Sequence, residues 1–234
     1  MGTADVLPEN RMEFGVFAPL RYGLSDSVEL STHPLLNVLM PNLALKVRWL
    51  QSGDVTVSSR HNLTYPSGLF NFLSKDGAMG ILPKEADIPH IIGLTTEGLV
   101  SWKASDLVLV TGKASVMVAA RVGETNLPTM DLPLVFPRTA AYLRGWSATF
   151  GVDTRLTLSD AFALNFDLDF FLLPTKRAPY HVEHSGMVAW KIKPDLRLSA
   201  GYKVVYGRYP FGGEWNFGGG AWPFPLVDFE WAFD

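Results

Sequence analysis

The feature that most constrains this chain is an alternation of apolar and polar residues with period two, sustained over segments long enough to cross a bilayer. In residues 161–172, Phe162, Leu164, Phe166, Leu168, Phe170 and Leu172 share one face and Asn165, Asp167 and Asp169 the other, with Phe171 the exception. Residues 42–50 set Leu43, Leu45, Val47 and Trp49 against Asn42, Lys46 and Arg48, and the last segment sets Val227, Phe229, Trp231 and Phe233 against Asp228 and Glu230. Side chains of a strand point alternately to its two faces, so this pattern predicts strands with one apolar face. Eleven segments read this way: 11–22, 27–36, 42–50, 54–65, 90–103, 106–121, 139–158, 161–172, 180–193, 196–208 and 222–233. Many exceed the ~5–6 residues of a globular strand and match the ~9–11 that a tilted membrane-crossing strand needs.

The connections sort into two kinds. Tight ones around Gly23–Asp26, Gln51–Asp54, Lys103–Asp106, Leu158–Ala161 and Lys193–Leu196 each carry an Asp among turn-forming neighbours. Longer ones, rich in Gly and Pro, span 65–89, 122–138, 173–179 and 208–221. In an antiparallel meander every second connection lies at the same end, so one rim receives the tight turns and the other the long loops, as in transmembrane barrels. Closure requires an even number of strands. The missing one is expected from residues 3–9, from within 122–138, or by demoting one segment to a rim excursion. The expectation is all-β: an antiparallel up-and-down transmembrane β-barrel of about 12 strands, or ten, forming a single domain over 1–234 with 1–10 as an N-terminal extension.

A soluble barrel or sandwich also alternates, with its apolar face inward. Strand length, segregated loops, and aromatics near strand ends (Tyr22, Trp49, Trp102, Trp190, Tyr206, Trp231) favour an apolar face turned toward lipid. Twenty Lys and Arg against 23 Asp and Glu give a net charge of −3, so the chain has no positive field to hold nucleic acid. The absence of cysteine excludes disulfides and thiolate chemistry. Residues 1–14 lack the basic and apolar regions of a secretory signal, so an exported chain is expected here in mature form, its signal peptide absent.

The strand-turn pattern RYGLSDSVEL (residues 21–30) and the ending PLVDFEWAF (residues 225–233) resemble outer-membrane β-barrel proteins of Gram-negative bacteria, of a porin-like, uncharacterised transporter type. The resemblance implies a bacterial outer-membrane location, membrane lipids as surroundings, and recognition of Phe229, Trp231 and Phe233 by the barrel-assembly machinery during insertion, with Asp234 following the last aromatic.

Strand parity sends Lys46, Arg48, Arg60, Glu97, Lys113, Arg121, Asp153, Arg155, Asp167, Asp169, Glu183, Lys191 and Lys203 into the lumen. These are the candidate selectivity residues, with small polar solutes as partners. One reading is a polar pore tuned by its charges; the other is opposite charges pairing across a narrow lumen and plugging it. His181, Glu183 and Ser185 share a face and form the nearest thing to a catalytic set, but His184 has no Ser beside it, and no catalytic assignment is made. No metal site or cofactor is expected: His181 with Glu183, or Asp167 with Asp169, supplies only two ligands, and phosphate-cradling glycine motifs are missing. Residues 66–89 carry an apolar stretch (Leu69, Phe70, Phe72, Leu73) that reads as a short helix or an adhesive patch, and 211–222 reads as a flexible glycine-rich loop. The functional expectation is a passive channel for small polar solutes or ions. The alternatives are a non-conducting structural or partner-binding barrel and an outer-membrane lipid hydrolase.

Overall fold

A computed structural model describes residues 2–74, 82, 86–127, 135–176, 178–208 and 224–233. Twelve antiparallel strands follow one another in chain order: β1 (Met12–Gly15), β2 (Leu20–Ser25), β3 (Val28–Thr32), β4 (Asn42–Ser52), β5 (Val55–Thr64), β6 (His90–Lys103), β7 (Val108–Val122), β8 (Trp146–Thr157), β9 (Phe162–Leu172), β10 (Tyr180–Lys193), β11 (Leu196–Gly207) and β12 (Phe224–Phe233). Each pairs with its sequence neighbours, and β1 pairs with β12 to close the barrel. Closure leaves no exposed sheet edge and satisfies the backbone within the wall.

The twelfth strand comes from none of the three places expected. The segment 11–22 is two strands, broken at residues 16–19, where Pro19 cannot donate to the ladder. The second correction lies at 139–158, where the strand begins only at Trp146. Among the described residues, three short helices lie in the connections: α1 (Pro34–Asn37), α2 (Ser67–Leu73) and α3 (Phe136–Arg144). Helix α3 carries helix signals that outrank the weak alternation there, with a proline in its first turn and Gly145 at its end with φ 91°. The apolar stretch at 69–73 is helical as one expectation had it, while residues 211–222 lie outside the described residues.

The tight turns β2–β3, β4–β5, β6–β7, β8–β9 and β10–β11 gather at one rim, and the long connections at the other. The register irregularities, at Gly23/Ser25, Arg48/Leu50 and Lys191/Lys193, are all next to tight turns. Apolar side chains face outward around the circumference: Leu45, Leu94, Val116, Phe150, Leu168, Val188 and Phe229 are all exposed. The side chains turned inward are largely polar and buried, including Ser58, Ser101, Thr111, Asp153, Asp169, His181 and Glu183.

Candidate functional site

The lumen is narrowed by two pieces of the chain that are not part of its wall. From the tight-turn rim, residues 2–9 fold back inside and cross from β2 toward β8. The Leu7 amide donates to Glu29 Oε2 at 3.0 Å, the Ala4 amide to Ser101 Oγ at 2.7 Å, and the Gly2 amide to Asp153 Oδ2 at 3.1 Å. Lys46 donates to the carbonyl oxygens of Thr3 and Asp5. An otherwise unpaired extended segment thus has backbone groups satisfied by wall side chains. Gly23 makes room for it, since a Cβ there would run into the Pro8 carbonyl oxygen.

From the long-loop rim, α3 fills the other mouth. Phe136 and Ala140 pack with Phe171, Leu173 and Ala178, while Tyr142 packs with Phe70, Leu82 and Ile91. The Tyr142 hydroxyl lies 3.1 Å from Thr64 Oγ1. Phe171, the one break in the alternation of its strand, faces inward because it is the seat of this helix.

Between the two pieces lies a network of ions. Lys113 Nζ is 2.5 Å from Asp167 Oδ1, 2.8 Å from Asp169 Oδ1 and 3.3 Å from Asp153 Oδ1. Arg138 of α3 bridges Asp169 Oδ2 at 3.0 Å and Glu183 Oε2 at 2.7 Å, and its guanidinium stands 5.4 Å from the centre of the Phe171 ring. Lys203 completes the network at 2.9 Å from Glu183 Oε2. Four carboxylates and three cations therefore share one region, each buried charge close to an opposite one, which offsets the cost of removing it from water.

The thirteen sequence-selected residues divide by position. Lys113, Asp153, Asp167, Asp169, Glu183 and Lys203 meet in this network. Lys46 holds the inner segment. Arg60 and Glu97 are in-register neighbours on the inner wall, Arg121 lies toward the long-loop rim, and Arg48 donates to the Asp26 carbonyl at the tight-turn rim. Arg155 and Lys191 line a cavity of about 280 Å³ at the same rim, together with Arg197 and Glu230. In the turn after β6, outside the strands, a hydrogen bond from Lys103 (2.7 Å) and the charge of that lysine hold the Asp106 carboxyl below the usual carboxylate range.

Sequence reasoning missed Arg138, because 122–138 reads as a loop and the following residues as a strand. The start and stop signals of α3 were the available clue. The His181, Glu183 and Ser185 set is not assembled for catalysis. His181 packs edge-on against the Phe136 ring, 5.4 Å between centres, and Glu183 is engaged by Arg138 and Lys203. Another hydrogen-bonded chain lies on the outer face near mid-height: Trp49 Nε1 donates to Ser59 Oγ at 2.8 Å, His61 Nε2 is 3.2 Å from that oxygen, and His61 Nδ1 is 3.2 Å from Thr96 Oγ1. These groups satisfy one another, which lets polar side chains sit within an apolar belt. Among the described residues no group of three or more His, Asp or Glu is arranged to hold a metal ion.

No family model and no curated protein matches the sequence. Solved structures do match in fold. The KdgM porin in complex with disordered oligogalacturonate is similar at 8% identity, with 96% of this chain and 97% of that chain covered and a TM-score of 0.51. The NanC porin is similar at 8% identity, with 95% and 96% covered and a TM-score of 0.51. OmpTdeltaL8, a loop L8 deletion mutant of an outer membrane protein of Vibrio cholerae, is similar at 11% identity, with 92% and 63% covered and a TM-score of 0.52. The chain has the closed antiparallel barrel fold found in these outer-membrane proteins.

Proposed function

We propose that this protein is an outer-membrane channel that passes small polar solutes or ions through a narrow, ion-lined lumen. The observation that carries this reading is the sorting of faces: apolar residues surround the closed barrel and charged and hydroxyl residues line its inside. Only such a wall both rests in hydrocarbon and keeps a polar path through it. The tight-turn rim then faces the periplasm and the long loops face outward, as in barrels of this kind. Membrane lipids contact the belt, and Phe229, Trp231 and Phe233 present the aromatic ending to the assembly machinery. The KdgM neighbour bound oligogalacturonate, a polyanionic sugar chain; here most lumenal cations near the centre already have carboxylate partners, which favours smaller solutes.

The second reading, a non-conducting barrel, is favoured by the inner segment and α3, which occupy the lumen from both ends. Conductance of the refolded protein in planar bilayers separates the two. The channel reading expects small discrete current steps that grow in Arg138→Ala, which unpins α3 from Asp169 and Glu183. Folded wild-type and Arg138→Ala samples that both carry no current would establish the non-conducting barrel.

A further inference from the structure

We propose that the cavity at the tight-turn mouth is an anion subsite, in which Arg155 and Arg197 take a carboxylate or phosphate group carried by a solute. This deepens the channel reading, and rests on it for the route of the solute but not for the binding itself.

The cavity has a volume of about 280 Å³, room for one small solute, and brings cations from three strands together. Its inward acids are already engaged: Glu13 lies 3.3 Å from both Arg11 and Arg21, and Glu230 is paired with Arg197. Asp160 and Asp195 are exposed in the turns at the lip. Arg155, on the inner face of β8, forms no hydrogen bond or ion pair among the described residues. Arg197 uses one terminal nitrogen on Glu230, while its Nε is buried with no hydrogen-bond partner. One guanidinium therefore has its whole fork idle, and the other has a terminal nitrogen to spare, in a shared cavity with the Lys191 amine beside them.

Two like charges that share one cavity repel. A single anion between the two guanidinium groups relieves that repulsion. The planar fork of a guanidinium matches the paired oxygens of a carboxylate or phosphate, which a neutral sugar hydroxyl does not offer. The central ion network has no comparable vacancy, because each of its cations faces carboxylates.

Calorimetric titration of the folded full chain in detergent, with inorganic phosphate and separately with glucuronate, tests the site. Saturable binding of at least one probe is expected, weaker as salt is raised, and reduced at least about tenfold in Arg155→Gln, the loss of one charged hydrogen-bonding group. Arg155→Lys keeps the charge, so it folds with the wild-type charge balance, and it is expected to bind more weakly for want of the fork. Which probe binds distinguishes a carboxylate from a phosphate ligand. No saturable binding of either probe to wild type, or binding unaltered in both variants, overturns the proposal. Parallel bilayer recordings keep the two readings apart: Arg155-dependent binding without current keeps the subsite and removes the channel, and current without binding does the reverse.

Discussion

Lys113 of β7 reaches Asp169 of β9 across the intervening strand, Nζ to Oδ1 2.8 Å, because the residue between them on β8 is Gly151. A Cβ on Gly151 would strike both the Asp169 carboxylate and the Lys113 side chain. The glycine thus acts as a gap through which a cation and an anion on non-adjacent strands touch. Gly151→Ala is expected to destabilise the barrel by about 1–3 kcal/mol through overpacking. Lys113→Met should cost more, about 3–5 kcal/mol, because it takes the ion-pair partner from Asp153 and Asp167 and leaves Asp169 to Arg138 alone. Urea unfolding from lipid vesicles checks both; equal midpoints for wild type and Lys113→Met would show that the network does not hold the barrel.

The two faces of β7 predict opposite responses to the same charge. Val116 is 51% exposed on the outer face, whereas Ser115 faces the lumen beside Glu97. Val116→Arg is expected to lower stability by about 2–4 kcal/mol, the cost of a cation near the middle of the lipid belt. Ser115→Arg should cost far less, since Glu97 can answer its charge. Equal losses for the two would place the belt elsewhere.

The barrel was legible in the sequence because lipid and lumen impose opposite polarity on successive residues, and that constraint is written into every strand from 42 to 65 and from 161 to 193. Strand number was harder. The break at 16–19 interrupts an alternation that continues on both sides of it, so period alone joined β1 to β2. The site was read only in part. Parity gives the face of Lys113, Asp167 and Glu183 but not their height or partners, and those depend on stagger between strands. Arg138 and the inner segment 2–9 belong to no strand, so alternation had nothing to say about either.

The inner segment should be chemically trappable. The chain has no cysteine, and the Ala4 amide is 2.7 Å from Ser101 Oγ. Ala4→Cys combined with Ser101→Cys is expected to form a disulfide under mild oxidation. Adding Gly23→Val should abolish it, by pushing Pro8 off the wall. Non-reducing electrophoresis after proteolysis reads the link, and its absence in the double-cysteine protein would mean that residues 2–9 do not lie across the lumen.

Phe14 lies between two rings of β12, with centres 5.2 Å from Trp231 and 5.8 Å from Phe233. Phe14→Ala is expected to remove about 0.5–1.5 kcal/mol for each stacked pair beyond the area it uncovers. The loss should appear as a lower temperature for the shift from folded to unfolded mobility on electrophoresis. An unshifted transition would mean that the stack contributes nothing to the β1–β12 contact.

That contact is brief, from Met12↔Phe233 to Gly15↔Glu230, and on its other side β1 matches β2 only at Met12↔Tyr22 and Glu13↔Arg21, whereas β12 matches β11 from Leu196↔Trp231 to Lys203↔Phe224. During biogenesis, the long ladders from β4 to β12 can therefore curve into a sheet before the cylinder is complete, with β1 laid between two brief ladders and held to β12 by a hydrophobic clasp. Strand β1, tied briefly on both sides, is where mechanical tension or heat should first unbutton the finished protein, a slit rather than a collapse.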